Sequence, residues 1–221
     1  MDRSSRNRLT ASLLSQFPGD TLFEAIARAV CRAGCLPRKE LYEAWEVARR
    51  VRRRFRGGRI VDLACGHALL AQILLLLDDS SRSALAVDQR LPKSSAALAA
   101  CLLEGWPRLQ GRVGLMELDL KDVPLERGDL VVSAHACGGL TDLILERAVA
   151  AGARVAVLPC CHNLKGGDLG GLEGWLEGPL AMDAARVAWL RRQGYRVFTQ
   201  LIPGDITPKN RLLLAEPEWT R

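Results

Sequence analysis

The chain has 221 residues, of which 48% are hydrophobic, and its formal net charge is +6. This length and composition predict one large globular domain, or one domain with a helical extension. No apolar run is long enough to span a bilayer, and the first six residues lack the apolar core of a signal peptide. The seven cysteines, an odd number that includes the adjacent Cys160 and Cys161, favour reduced thiols over a disulfide framework. We therefore expect a cytoplasmic protein without a membrane segment.

Most of the positive charge lies in the N-terminal quarter of the chain. Residues 1–59 contain 14 lysines and arginines against 6 acidic residues, whereas residues 60–221 contain 17 against 19. A dense basic cluster is typical of a surface that binds a polyanion, with RNA as the leading candidate. The alternative is a solvated helix face, because an apolar stripe at helical spacing runs from Leu41 to Phe55 and leaves the arginines outside it. The six arginines of the cluster are Arg49, Arg50, Arg52, Arg53, Arg54 and Arg56.

The hydrophobic pattern divides the chain into a helical, basic N-terminal extension, 1–58, and an alternating part, 59–221. Helices are predicted over 22–33 and from Pro37 to about Phe55, before a break at the glycine pair 57–58. Strands then alternate with helices, which predicts a doubly wound α/β domain with a mostly parallel sheet. The seven predicted strands lie at 60–64, 84–88, 112–118, 130–134, 154–158, 195–202 and 211–216. The remaining predicted helices lie at 68–77, 94–104, 140–151 and 181–193, and the glycine-rich stretch 166–180 is expected to form a surface loop.

Three carboxylates stand at or just beyond the ends of the first three strands. Asp62 precedes a turn of small residues, Asp88 ends the second strand, and Asp119 follows the third. The carboxyl ends of parallel strands meet at one edge of a sheet, where nucleotide-like ligands bind. There Asp62 would hold an ammonium group, Asp88 the two ribose hydroxyls, and Asp119 an adenine amino group. A ligand that carries all three groups is S-adenosylmethionine, which we favour over NAD.

The turn after the first strand is expected to complete this cofactor site. It contains Ala64, Cys65 and Gly66, and it leads into an apolar helix. A glycine at position 66 lets the backbone approach the ligand, where a Cβ would clash. The N–H groups of the turn and of the following helix can donate to the ligand carboxylate.

Two loops rich in cysteine and histidine follow the fourth and fifth strands. The first contains His135 and Cys137, and the second contains Cys160, Cys161 and His162. In a doubly wound sheet these loops lie side by side at the carboxyl edge, next to the cofactor turn. Their side chains could act as a general base, as a thiolate that adds to a pyrimidine, as metal ligands, or as packing under the cofactor. Because adjacent cysteines rarely both reach one ion, we predict no metal site.

The loop at 203–210 adds a last candidate. We expect the preceding strand to run parallel to the others, so this loop also rises over the carboxyl edge. Lys209 could then act as a base with a lowered pKa, although a lysine in a turn is more often a solvated cation. Asp205, Thr207 and Asn210 would lie on the same side.

These motifs resemble a methyltransferase-domain family that includes the eukaryotic tRNA 2′-O-ribose methyltransferase of the acceptor stem and bacterial relatives. The resemblance covers residues 36–216 and implies a Rossmann-like class I methyltransferase with a seven-stranded, mostly parallel sheet. A terminal strand pair on such a sheet is typical of S-adenosylmethionine-dependent methyltransferases, and Ala64 and Ala68 stand where their loops usually have glycine. The matching segments are Val61-Asp-Leu-Ala-Cys-Gly66, His135-Ala-Cys-Gly138 with Thr141-Asp142, Pro159-Cys-Cys-His162 and Ile206-Thr-Pro-Lys-Asn-Arg211.

The expected function is S-adenosylmethionine-dependent methyl transfer to RNA, including tRNA, at a ribose 2′-O or at a base. Two alternatives remain open: methylation of a protein or a small molecule, and a non-catalytic module that binds RNA or protein on this scaffold. The expected cofactor residues are Asp62, Ala64, Cys65, Gly66, Asp88 and Asp119. The residues expected to frame the methyl acceptor are His135, Cys137, Cys160, His162 and Lys209.

Overall fold

A seven-stranded sheet forms the centre of the computed structural model, which describes residues 2–218. The strand order is β3-β2-β1-β4-β5-β7-β6, and β7 is antiparallel to both of its neighbours, so that β6 runs in the same direction as β1 to β5. This topology confirms the predicted Rossmann-like α/β fold and the terminal strand pair. The strands are β1 Ile60–Leu63, β2 Ala84–Asp88, β3 Val113–Glu117, β4 Leu130–Ser133, β5 Arg154–Val157, β6 Tyr195–Leu201 and β7 Arg211–Pro217.

The helices lie on both faces of the sheet, and the alternation of side chains along each strand determines which face each residue serves. Val131 and Val155 pack with residues of α5 and α6, whereas Val132 and Ala156 pack with residues of α1 to α4. Each face therefore has its own hydrophobic core. The helices are α1 Leu22–Ala33, α2 Arg38–Arg54, α3 Leu69–Leu77, α4 Ser95–Gly105, α5 Gly139–Ala151 and α6 Gly178–Arg192.

The N-terminal helices pack on the sheet domain and share its core. Helix α1 begins with a capping box, in which the Glu24 N–H donates to Thr21 Oγ1 at 3.3 Å and the Glu24 carboxylate accepts from the Thr21 hydroxyl at 2.9 Å. It ends at Gly34 in the left-handed region. Helix α1 contacts α4 and helix α2 contacts α3, so these N-terminal helices cover one face of the sheet.

The observed elements differ from the expected ones mainly at their ends. Helix α6 begins at Gly178 instead of residue 181, because Pro179 suits the first helical turn, where its missing N–H is not needed. Two short 3-10 helices, Ala11–Gln16 and Pro107–Leu109, were not predicted, since they are too short to show a hydrophobic period. All seven cysteines are free thiols. None of the helices in residues 2–218 has the length and apolarity that crossing a membrane requires.

Candidate active site

The turn between β1 and α3 adopts the backbone conformation that glycine favours, although two of its residues are alanines. The φ angles of Ala64, Gly66 and Ala68 are +55°, +52° and +59°. A left-handed conformation costs an L-residue roughly 1–2 kcal/mol, and such strain tends to persist at functional sites. The turn therefore keeps an unfavourable shape that the rest of the fold must stabilise.

Open space lies beside Gly66. A Cβ built at this position would have no heavy atom within 4 Å, apart from its immediate chain neighbours. The φ angle, and not packing against the protein, thus favours glycine here, and the expected clash of a Cβ would have to come from a ligand. The Gly66 N–H donates to Asp88 Oδ2 at 2.9 Å, which ties the turn to the end of β2.

The two strand-end carboxylates lie close together. In the sheet register Asp62 pairs with Ala86, so Asp88 lies only two residues further along the neighbouring strand. Asp62 is buried and accepts a hydrogen bond from the Ala71 N–H at 3.2 Å. Burial, reinforced by the neighbouring Asp88, raises the pKa of Asp62 to about 8. A bound cation would favour the ionised form of this carboxyl group.

A pocket of about 20 Å³ adjoins Asp62, Cys65, His67 and His135, and Glu40 of α2 walls it on the other side. This volume is sufficient for one water molecule and too small for a nucleoside. The open space beside Gly66 is therefore where a larger group can approach the acids.

Cys65 and Asp119 have local structural partners. The Cys65 N–H donates to the Val87 carbonyl at 3.1 Å, and burial raises the pKa of the Cys65 thiol. Asp119 lies two residues after β3, where its carboxylate accepts from the Lys121 N–H at 3.0 Å and has the Lys121 Nζ at 3.6 Å. Asp119 thus occupies a turn at the carboxyl edge and carries an ion pair with a cation of that turn.

The loops after β4 and β5 lie side by side, as the topology requires. Cys137 and Cys161 form an isolated parallel bridge, and the Gly138 N–H donates to the Cys161 carbonyl at 2.9 Å. The Sγ atoms of Cys137 and Cys160 are 3.0 Å apart, and all three thiols lie within 4.8 Å of one another. Burial raises the pKa of the Cys160 thiol, whereas a hydrogen bond from Cys137 and the nearby Lys209 ammonium lower the pKa of the exposed Cys161 thiol.

A cavity of about 350 Å³ opens beside these thiols. Lys209, on the loop after β6, contributes to its lining and places its Nζ 3.7 Å from Cys161 Sγ. His135 is half-buried and lines both this cavity and the small pocket at Asp62. Within residues 2–218 no protein group forms a hydrogen bond with the His135 ring. The imidazole thus stands between the carboxylates and the thiols with its nitrogens available.

His162 lies away from this cavity. Its Nε2 is 2.9 Å from Asp183 Oδ1, and its side chain is only 4% exposed. Asp183 also accepts from Arg186 at 3.0 Å and from Arg211 at 2.6 Å. The imidazole of His162 therefore fastens the second loop to α6 and β7.

The sequence-based assignment of Arg52 to a polyanion-binding surface is wrong. This residue is 3% exposed and donates to the Leu74 carbonyl at 3.1 Å and to Ser81 Oγ at 2.9 Å. It also forms an ion pair with the buried Asp78 at 3.1 Å. Burial lowers its pKa to about 10, and its guanidinium holds the end of α2 against the sheet domain.

The other arginines of the cluster are mostly paired with acids of the protein itself. Arg49 and Arg50 pair with Glu46 on α2, Arg54 pairs with Glu216, and Arg56 pairs with Asp78. Arg53 is exposed.

Helix α2 begins at the 350 Å³ cavity and extends away from it. Its first turn supplies Lys39 to the cavity lining, whereas its last residue lies just before the start of β1, at the opposite edge of the sheet. The helix has 17 residues and so spans about 25 Å. The cavity cations on the N-terminal part are instead Arg6 and Lys39, which the sequence analysis missed because no local pattern reveals where the N-terminal segment packs.

An open α/β sheet with a reversed seventh strand, acids at the ends of β1 and β2, and a positive-φ turn between them define a class I methyltransferase. Residues 39–165, more than half of the chain, match the family model described as "Methyltransferase domain". The chain therefore belongs to this methyltransferase-domain family, and it is an enzyme of the methyltransferase class.

Several solved structures share the fold. The m1A22 tRNA methyltransferase TrmK of B. subtilis aligns with a TM-score of 0.52 and 17% identity over 79% of this chain and 65% of that chain. An O-methyltransferase family protein from Burkholderia thailandensis aligns with a TM-score of 0.54 and 16% identity over 96% of this chain and 64% of that one. The methyltransferase domain of bacterial CtHen1-C gives a TM-score of 0.57 and 15% identity over 81% of this chain and 98% of that domain. No curated protein gives a significant sequence match. At these identities the likeness establishes the fold alone.

Proposed function

We propose that this protein transfers a methyl group from S-adenosylmethionine to RNA. The observation that carries the proposal is the position of His135. It lies between a turn whose acids suit the cationic donor and a cavity large enough for the acceptor group. The donor loses its methyl group and becomes S-adenosylhomocysteine as the new bond to the acceptor forms.

The cofactor would lie along the open side of the turn. Asp88 would accept hydrogen bonds from the two ribose hydroxyls, and the backbone of Ala64, Cys65 and Gly66 would contact the donor. Its ammonium group would point towards Asp62, directly or through the one water that the small pocket can hold. Asp119, at the end of the third strand, would accept from the adenine amino group.

His135 would act as the general base. An acceptor hydroxyl, or a ring nitrogen that bears a hydrogen, carries a proton that must leave as the methyl carbon–sulfur bond breaks. The imidazole faces both sites and makes no protein hydrogen bond in residues 2–218, so it can take this proton. General base catalysis of this kind contributes typically about 10²–10⁴-fold to the rate. Lys209 would attract the acceptor phosphate beside it, while Cys160 lines the cavity and Cys137 packs against Cys160.

RNA is the favoured acceptor because cations surround this edge of the sheet. Arg6, at the cavity, and Arg90 and Lys93, just beyond β2, are exposed and form no ion pair within residues 2–218. The structural likeness to a tRNA methyltransferase and the motif resemblance to the tRNA ribose enzyme both make tRNA the first RNA to test.

The direct test is incubation of the protein with methyl-labelled S-adenosylmethionine and fractionated cellular RNA and protein. We expect label in RNA, concentrated in the tRNA fraction, and far less label when Asp88→Ala replaces the wild type at a subsaturating donor concentration. Label confined to protein or small molecules, or label in no fraction, would overturn the proposal.

The site of RNA contact can be tested separately by charge removal. The triple variant Arg6→Gln, Arg90→Gln, Lys93→Gln should weaken tRNA binding and lower the slope of log affinity against log salt by about one per lost phosphate contact. The matched control is Arg53→Gln, because Arg53 is an exposed arginine at the far end of α2. Equal losses in both variants would contradict the proposed contact surface.

A further inference from the structure

We propose that Cys137, Cys160 and Cys161 form a three-thiolate binding site for Zn²⁺, with a fourth coordination position open to the 350 Å³ cavity. The sequence alone argued against a metal here, because neighbouring cysteines rarely reach one ion. The structure changes that inference. Residues 160 and 161 follow the end of β5, and their two Sγ atoms lie within 4.8 Å of each other and of Cys137 Sγ although the residues are adjacent.

The sulfur positions suit a small thiophilic ion. All three Sγ atoms lie within 4.8 Å of one another. A zinc–sulfur distance of about 2.3 Å places sulfurs about 3.8 Å apart on a tetrahedral ion. Cys137 and Cys160, at 3.0 Å, would have to separate by side-chain rotation alone, because the backbone bridge between Cys137 and Cys161 already fixes the two loops side by side.

The residues around the three thiols include a cation that can balance the charge of the site, and the nearest histidine is bound to another residue. Three thiolates and one Zn²⁺ carry a net charge of −1, and the Lys209 ammonium, 3.7 Å from Cys161 Sγ, can compensate it. His162 is the nearest histidine in the sequence, but its Nε2 is bound to Asp183 at 2.9 Å. Among the described residues, the donors that can share one ion here are the three thiols alone.

The open position gives the site a chemical role. Zinc with three protein ligands and one exchangeable position polarises an oxygen that binds to it. Cys160, Cys161 and His135 line the same cavity, so an acceptor hydroxyl bound to the ion would lie near the proposed base. This role rests on the proposed function, whereas the binding of the metal does not.

The test is metal titration of the reduced, metal-free full-length protein. Co²⁺ should bind at one equivalent and give a thiolate-to-cobalt charge-transfer band, which one equivalent of Zn²⁺ removes. Cys161→Ser, at an exposed position, should weaken Zn²⁺ binding by more than the roughly 10–100-fold that supporting residues contribute. Cys101→Ser is the matched control, because this half-buried cysteine lies on α4 outside the cluster and should leave binding unchanged.

Three results would overturn the proposal. One is the absence of a thiolate–cobalt band in the wild type, and another is a band of unchanged intensity in Cys161→Ser. The third is a disulfide between Cys137 and Cys160 that forms in preference to metal binding, seen as five titratable thiols in the denatured protein instead of seven. If the protein binds the metal but does not methylate RNA, the metal site is supported and only the proposed function is contradicted.

Discussion

The carboxyl edge of the sheet has two halves that differ in chemistry. The half formed by β1 and β2 carries the paired carboxylates Asp62 and Asp88, and the half formed by β4, β5 and β6 carries thiols and the Lys209 ammonium. One half suits a ligand with cationic groups, and the other suits an anionic acceptor or a thiophilic metal. Under the proposed function, this contrast would separate the two reactants by charge before they meet at His135.

The halves also differ in how they are held. On the acidic side, backbone N–H groups bind both carboxylates, at 2.9 Å from Gly66 and 3.2 Å from Ala71. On the thiol side, long-range contacts hold the loops, such as the bridge of Cys137 to Cys161. Substitutions on the acidic side should therefore affect cofactor binding, and those on the other side should affect turnover.

The largest expected effect comes from His135→Ala. Loss of the general base should lower kcat about 10²–10⁴-fold while cofactor affinity stays within a few-fold of the wild type. Single-turnover methyl transfer and calorimetry would measure the two quantities. If His135→Ala lowered cofactor affinity as much as kcat, His135 would belong to the cofactor site and would not act as a separate general base.

Asp88→Ala should reduce cofactor affinity by at least about 100-fold. The ribose would lose two hydrogen bonds to a charged group, each of which contributes about 1.5–3 kcal/mol. Asp122→Ala is the control, since Asp122 is exposed in the turn after β3. Calorimetry that finds equal affinity in both variants would remove Asp88 from the cofactor site.

Asp62 should make cofactor binding pH-dependent. Its pKa of about 8 means that the free protein holds a proton at pH 7 that an approaching ammonium group displaces. Affinity should therefore rise towards pH 8, by up to about tenfold per pH unit. The folding stability of the cofactor-free protein should change with pH in the opposite direction. The stability that the raised pKa of Asp62 contributes is fully present below the unfolded pKa of 3.8, and it is lost as the pH rises through the folded pKa of about 8.

The measurement is calorimetry at pH 7 in two buffers with different ionisation enthalpies. The wild type should release up to one proton on binding, and Asp62→Asn should release none. Equal proton release in both proteins would mean that another group is titrated.

The smallest expected effect is that of Ala64→Gly. Glycine would relieve the strain of φ +55°, while its greater freedom in the unfolded chain offsets part of the gain. We expect a net stabilisation of no more than about 1 kcal/mol. Ala71→Gly, inside α3, should instead destabilise by about 1 kcal/mol. Chemical denaturation would compare the two, and destabilisation by Ala64→Gly would show that the turn is not strained.

The acidic half could be predicted from the sequence because its residues lie within or at the ends of recognisable strands. Alternating hydrophobic segments fixed the order of β1 and β2, and parallel topology then placed Asp62 and Asp88 at one edge. The strained shape of the turn could not be predicted, since alanine at positions 64 and 68 usually indicates an ordinary backbone.

The other half depended on contacts between distant segments. Sequence reasoning placed the Cys137 and Cys160 loops together, but it could not show that their thiols approach to 3.0 Å. It also could not show that His162 turns to Asp183, or that Arg52 is buried while Arg53 is exposed. These outcomes depend on how α2 and α6 pack, which helical periodicity alone does not determine.

The most direct test of the two-half arrangement is amide NMR of the labelled protein titrated with S-adenosylhomocysteine. Shifts should concentrate at Gly66, Ala71 and the residues after Asp88, with smaller changes at His135. Shifts centred on the end of α2 and the start of β5, or no shifts at saturating ligand, would contradict cofactor binding at the acidic half of this edge.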